Sequence, residues 1–125
     1  MLSAYPNYNV DTATAVADIG RADARDEVRA LILDHPDRIV FGTDLVRTSA
    51  FDIPVLDPEV RWDVAEWFAR HWRFFETAEP ALEHPLPIQG DWTVVGLDLP
   101  DDVLSKLYWE NARRVFPLPA SVTDA

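Results

Sequence analysis

The stretch RIVFGTDLVR, Arg38 to Arg47, decides the fold. Its core, Ile39-Val40-Phe41, shows no polar alternation, which is the pattern of a strand covered on both faces, as in a parallel sheet. Gly42 and Thr43 follow, and then a lone acid, Asp44. Upstream, Tyr5-Pro6-Asn7 reads as a turn, because proline fixes its own φ and biases its predecessor towards extended. Tyr8 to Thr12 (YNVDT) is a short strand of β-favouring residues, and Arg38 to Thr43 is the second strand. Between the two strands, Thr14 to Asp34 is broadly helical and broken near Gly20, with Val28, Leu31 and Ile32 on one face. His35-Pro36-Asp37 stops that helix. Strand, helix and strand in so short a span make a βαβ unit with parallel strands and a right-handed crossover. Asp44 then sits just past the carboxyl end of the second strand, the end that carries the ligand site in α/β folds.

The rest of the chain reads as helices and proline-punctuated connections. Thr48 to Asp57 is a loop, and Asp57-Pro58-Glu59 is a helix start: an N-cap, a proline at the first helical position and an acid in the first turn. That helix should run to about Phe75. Val60, Val64, Trp67, Phe68, His71, Trp72 and Phe75 line its apolar stripe, and Arg61, Asp63 and Arg70 are left exposed. Glu76 to Asp91 is irregular, and Trp92 to Val95 is a short extended piece. A last helix begins near Pro100 and runs to Phe116, burying Val103, Leu104, Leu107, Tyr108, Val115 and Phe116.

With 125 residues, 48% of them hydrophobic and 26% charged, the chain has the balance of one globular domain. Its net charge of -11 and pI of about 4.4 argue against nucleic acid or an anionic membrane as partner, since both require basic patches. A metal cation or a neutral small molecule is more compatible. The absence of cysteine excludes thiolate metal sites and fits a reducing compartment. No apolar run approaches a membrane span, and the N-terminus lacks a signal-peptide pattern, so a soluble cytoplasmic protein is expected.

Candidate chemistry centres on Asp44. A carboxylate can ligate zinc or manganese, or act as a general base. Alternatively, Asp44 caps the following turn or pairs with Arg38 or Arg47. Asp11 and Thr12 end the first strand as Asp44 follows the second, so two acids face one rim if the strands are neighbours. They suit a cation, or equally a solvated polar edge. His35 falls at the amino end of the second strand, His71 on an apolar helix stripe as a satisfied core histidine, and His84 in a proline-rich loop. No pair has HxH or HExxH spacing. Arg73 to Thr77 leaves its helix with charges and a hydroxyl, which fits a C-terminus with Arg73 at the dipole. There is no glycine-rich phosphate loop and no serine nucleophile elbow.

Five segments follow in order: YPNYNVDTA (Tyr5–Ala13), DRIVFGTDL (Asp37–Leu45), HWRFFET (His71–Thr77), HPLPIQGDW (His84–Trp92) and LPDDVLSKLYWENARRVF (Leu99–Phe116). Together they resemble the carboxyl-terminal part of the amidohydrolase-related family, metal-dependent TIM-barrel enzymes of the aminocarboxymuconate-semialdehyde decarboxylase type. The resemblance implies an α/β fold, a C-terminal fragment of a (β/α)8 barrel, with YNVDT as its seventh strand and Ile39-Val40-Phe41 in its eighth. Residues 5–57 would form the βαβ unit with its loop, and residues 58–116 the C-terminal helices.

It further implies that Asp44 is the active-site acid, binding a divalent metal, with zinc expected, or deprotonating the attacking water. Asn111 matches a position that ties the last helix back to the barrel. The family's HxH and later histidine ligands have no counterpart in this sequence. Met1 to Tyr5 reads like the end of a preceding helix, so a gene fragment, or an upstream part encoded elsewhere, is expected.

The implied chemistry is hydrolysis of a C–N or related bond, or non-oxidative decarboxylation, of a small-molecule substrate. The alternative is a non-catalytic remnant or helical interaction module. Two lone parallel strands should each offer an unpaired edge. The expectation is therefore self-association, or dependence on the missing upstream barrel half, and no turnover by the chain alone.

Overall fold

The computed structural model describes residues 1–45, 64–83 and 92–116. The two strands form where the sequence places them and pair in parallel: β1 is Val10–Asp11 and β2 is Ile39–Val40, with Val10 opposite Ile39 and Asp11 opposite Val40. Each is shorter than the five or six residues expected, because side chains take over the pairing at its carboxyl end. The Thr12 hydroxyl donates to the Gly42 carbonyl at 2.9 Å, and the Gly42 N–H returns a bond to that hydroxyl at 3.0 Å. The approach there is close: a Cβ on Gly42 would stand 3.3 Å from the Ala13 Cβ, a tight contact that Ala13 would have to yield to by a few tenths of an ångström.

The crossover is two helices, α1 (Val16–Ile19) and α2 (Arg25–Asp34), broken at Gly20 as expected. Gly20 is needed for packing, because a Cβ would lie 2.6 Å from Val94 and 2.8 Å from Phe74. Helix α2 carries Asp26 and Glu27 in its first turn, where acids complement the helix dipole, and it stops before Pro36. On its face Ile32 is buried, whereas Leu31 is exposed, contrary to the expected stripe. Arg25 and Arg29, one turn apart, donate to the carbonyls of Gly96, Leu97 and Asp98.

Helix α3 (Val64–Glu76) has the strongest apolar face. Trp67, His71, Phe74 and Phe75, at spacings of four, three and one, are buried. Two expectations fail here. Trp72 is 45% exposed, and Phe74, left off the expected stripe, is fully buried. The face is centred one residue further round the helix than the tryptophans suggested, because it turns towards the 94–99 segment. Arg70 is not free in solvent as expected, since it pairs with Glu66 at 3.1 Å and with Glu83 at 2.9 Å. The expected helix start at Asp57-Pro58-Glu59, and with it Arg61 and Asp63, lies outside the described residues.

Segment 94–99 runs along the end of α3 and satisfies its last carbonyls: Leu97 N–H donates to Phe74 O, and Leu99 N–H to Phe75 O. Val94 bridges antiparallel to both Arg21 and Leu82, which bears out the extended piece. These contacts enclose one core of Val16, Ile32, Ile39, Phe74, Phe75, Leu82, Val94, Leu97, Leu99, Val103 and Leu107.

The last helix begins after Pro100 as α4 (Asp101–Ser105), passes through a π-helical turn at Lys106–Glu110, and ends as α5 (Asn111–Val115). Val103 and Leu107 are buried, but Phe116 is 57% exposed rather than buried. The architecture is α/β, with two parallel strands among the described residues. No described helix is long and apolar enough to cross a membrane.

The core assignment predicts that Phe74→Ala destabilises the fold by about 3–5 kcal/mol. Trp72→Ala, at an exposed site, should cost less than about 1 kcal/mol. Urea titration of the two variants checks this; equal costs would show that α3 turns a different face inward.

Candidate active site

The site begins with the backbone. Thr43 is buried, and its hydroxyl accepts a bond from the Leu45 N–H at 3.4 Å. Asp44 takes a left-handed conformation with φ of 54°. A non-glycine residue there is strained, although aspartate tolerates it better than most. The bend lifts Asp44 off the carboxyl end of β2 and leaves its side chain exposed. Among the described residues, Asp44 makes no hydrogen bond or ion pair.

Asp44 does not pair with Arg38. Arg38 is engaged elsewhere: its Nη2 donates to the carbonyls of Tyr5, at 2.8 Å, and of Tyr8, at the amino end of the sheet. Arg47 lies outside the described residues. Asp11 does reach the same carboxyl rim through the parallel register, but its Oδ1 accepts the Ala13 N–H at 2.9 Å, a local turn contact. The rim thus presents one carboxylate committed to backbone and one, Asp44, with no partner among the described residues.

The histidines fall as the sequence suggested, with one beyond view. His35 caps the end of α2, and its Nε2 lies 3.2 Å from the Ser3 hydroxyl, away from Asp44's end. His71 is buried between Trp67 and the edge of Phe41, and its Nδ1–H donates to the Trp67 carbonyl at 2.8 Å. Burial pushes its pKa below the usual imidazole value, and the hydrogen bond only partly offsets that. It is a satisfied core histidine. His84 lies outside the described residues. Among the described residues, no group of three or more histidine or carboxylate side chains is placed to hold a metal ion. A single carboxylate is too few donors where about four are usual, so the described residues do not fit a complete metal centre.

A concave region of about 580 Å³ opens beside α3 and α4, lined by residues that include Glu76, Asp98, Asp101, Leu104 and Tyr108. The Tyr108 hydroxyl donates to Glu76 at 3.1 Å. Burial first, and then the Glu76 charge, pushes the phenol pKa well upward, so Tyr108 remains a protonated donor. By its spacing in the sequence Tyr108 falls only on a packing stripe. The one signal for this cleft was the acidic run LDLPDD, and Asp98 within it also takes a positive φ of 51°. Asp44 does not line it.

A family model described as Amidohydrolase matches residues 1–118. Searches of curated proteins and of solved structures return no match.

The buried His71 makes stability depend on pH. Its folded pKa is depressed, so its contribution is complete above the ordinary imidazole value near 6.5 and is lost as pH falls towards the folded value. Unfolding free energy should fall by up to about 1.4 kcal/mol per pH unit in that window. His71→Phe should remove that slope. Urea titrations between pH 7.5 and 5 measure it, and an unchanged slope in the variant would assign the pH dependence to another group.

Proposed function

The chain belongs to the amidohydrolase family, and from that premise we propose a metal-dependent hydrolase or decarboxylase-type function in which Asp44 is this chain's active-site carboxylate. The observation that carries the proposal is the placement of Asp44. It is an exposed acid in a strained backbone conformation, just past the carboxyl end of a parallel strand, with no partner among the described residues. Strain of this kind concentrates at functional positions. The buried Thr43 and the reciprocal Thr12–Gly42 bonds fix the base of the bend, so the carboxylate is held by the sheet rather than by a free loop.

Asp44 can accept a proton from a water molecule attacking a bound substrate, or serve as one ligand of a divalent ion, for which the family suggests zinc. The substrate class is a small molecule carrying a hydrolysable C–N or related bond, or a carboxylate to be lost without oxidation. Because Asp44 alone does not constitute a metal centre, the remaining donors are expected from outside the described residues, on further barrel strands. The chain on its own is therefore expected to be inactive.

A second reading, a non-catalytic helical packing unit, is favoured by one feature: the C-terminal helix seals the outer edge of β2 (Phe41 N–H to Leu107 O, 3.0 Å). Metal content and turnover separate the two. In a preparation that turns over, with the donor-bearing strands supplied, Asp44→Asn should lower kcat by about 10²-fold or more without shifting the unfolding midpoint. Dialysis of the chain alone against zinc should retain well under one equivalent. Full activity in Asp44→Asn, or one tight zinc on the isolated chain, would contradict the proposal.

A further inference from the structure

The register of the sheet determines which backbone groups of β2 face outward. Val10 N–H donates to Arg38 O and Thr12 N–H to Val40 O, so these groups of the β2 segment face β1. Alternation then turns the Ile39 carbonyl and the Phe41 N–H to the opposite edge, where another strand would dock. Neither is open. The Phe41 N–H donates to the Leu107 carbonyl at 3.0 Å, and the Asn111 amide donates to the Ile39 carbonyl at 2.8 Å and to the Pro36 carbonyl at 2.7 Å. The expectation that each strand offers an unpaired edge is therefore incorrect for β2.

The π-helical turn is what makes this possible. In a regular α-helix the Asn111 N–H would take the Leu107 carbonyl, four residues back. Here it bonds the Lys106 carbonyl instead, five residues back, and leaves the Leu107 carbonyl to accept from the sheet. The same turn brings the buried Asn111 side chain to the strand. Two flanking contacts hold the helix in place: Lys106 pairs with Asp37 at 2.9 Å, and Arg114 donates to the Asp37 carbonyl and, at 3.1 Å, to Asn9.

We propose that the π-helical turn and Asn111 form a displaceable cover over the β2 edge, mimicking a neighbouring strand with one carbonyl and one side-chain amide. While the cover is closed, no strand, from a second copy or another polypeptide, can pair with β2. Opening it is the step that must precede any extension of the sheet on that side. The cover does not depend on Asp44 chemistry. The flanking contacts, the Lys106–Asp37 ion pair and the Arg114 hydrogen bonds to the Asp37 carbonyl and Asn9, lie near the surface, where such contacts hold weakly, so local release can start there.

Amide hydrogen exchange on the intact chain tests this. Asn111→Asp keeps the shape but sets a carboxylate against two carbonyls, and Lys106→Ala loosens the clamp without touching the edge. In both variants the Phe41 N–H should exchange about tenfold or more faster than in the parent, while Val10 and Thr12 N–H exchange at the parental rate. Light scattering should show larger species in Asn111→Asp only. If Phe41 exchanges unchanged, or if Phe41, Val10 and Thr12 accelerate together in both variants, the helix and sheet open as one unit and the proposal is overturned.

Discussion

The hydrogen bond from Phe41 N–H to the Leu107 carbonyl, together with the two bonds from Asn111, is the constraint that sets how the C-terminal helix meets the sheet. A two-stranded parallel sheet is a poor structure by itself, because its edges and faces are nearly all exposed. Here one edge is satisfied by a helix. A net gain of about 0.5–1.5 kcal/mol per bond is modest, but leaving those carbonyls buried and unpaired would cost about 1–3 kcal/mol each. That asymmetry fixes the helix against the strand to within hydrogen-bonding distance.

The packing follows from this placement. With Leu107 held at the strand, its side chain joins Ile39, Val103 and Phe75 in the core. Phe41 meets Tyr108 edge-on at 5.1 Å between ring centres and Phe75 at 6.0 Å. Phe74 and Phe75 in turn are backed by the 94–99 segment, which Arg25 and Arg29 clamp from the crossover helix. Gly96 is obligatory in that segment, since a Cβ there would stand 2.1 Å from the Thr77 carbonyl. Sheet, crossover and C-terminal helix thus share one core, and Asp44 projects from its rim.

Much of this was legible in the sequence, and the exceptions have physical causes. The unalternating Ile39-Val40-Phe41 run, the break at Gly20 and the stop at Pro36 gave the βαβ order, because each reflects a local backbone preference. Asn111 was expected to tie the last helix back, and it does so. The failures are at positions where facing depends on the neighbour. Trp72, Leu31 and Phe116 are apolar but exposed, and Phe74 was overlooked because helix periodicity assigns one of two adjacent aromatics to a stripe, whereas the 94–99 segment here buries both Phe74 and Phe75. The π-helical turn left no sequence signal, since Lys106 to Glu110 are ordinary helix residues; it arises from the tertiary demand of the Phe41 N–H. For the site, Asp44's position was readable from strand order, but the commitment of Asp11 and Arg38 to backbone partners was not.

The central claim is that the carboxyl end of β2 is held against the C-terminal helix by its own outward-facing backbone groups. The most direct measurement is the scalar coupling transmitted through a hydrogen bond, between the Phe41 amide nitrogen and the Leu107 carbonyl carbon, in isotope-labelled chain. The account predicts a detectable coupling for that pair, together with one between Thr12 nitrogen and Val40 carbonyl carbon. A spectrum showing the second but not the first, or coupling from Phe41 to a carbonyl other than Leu107, would contradict it.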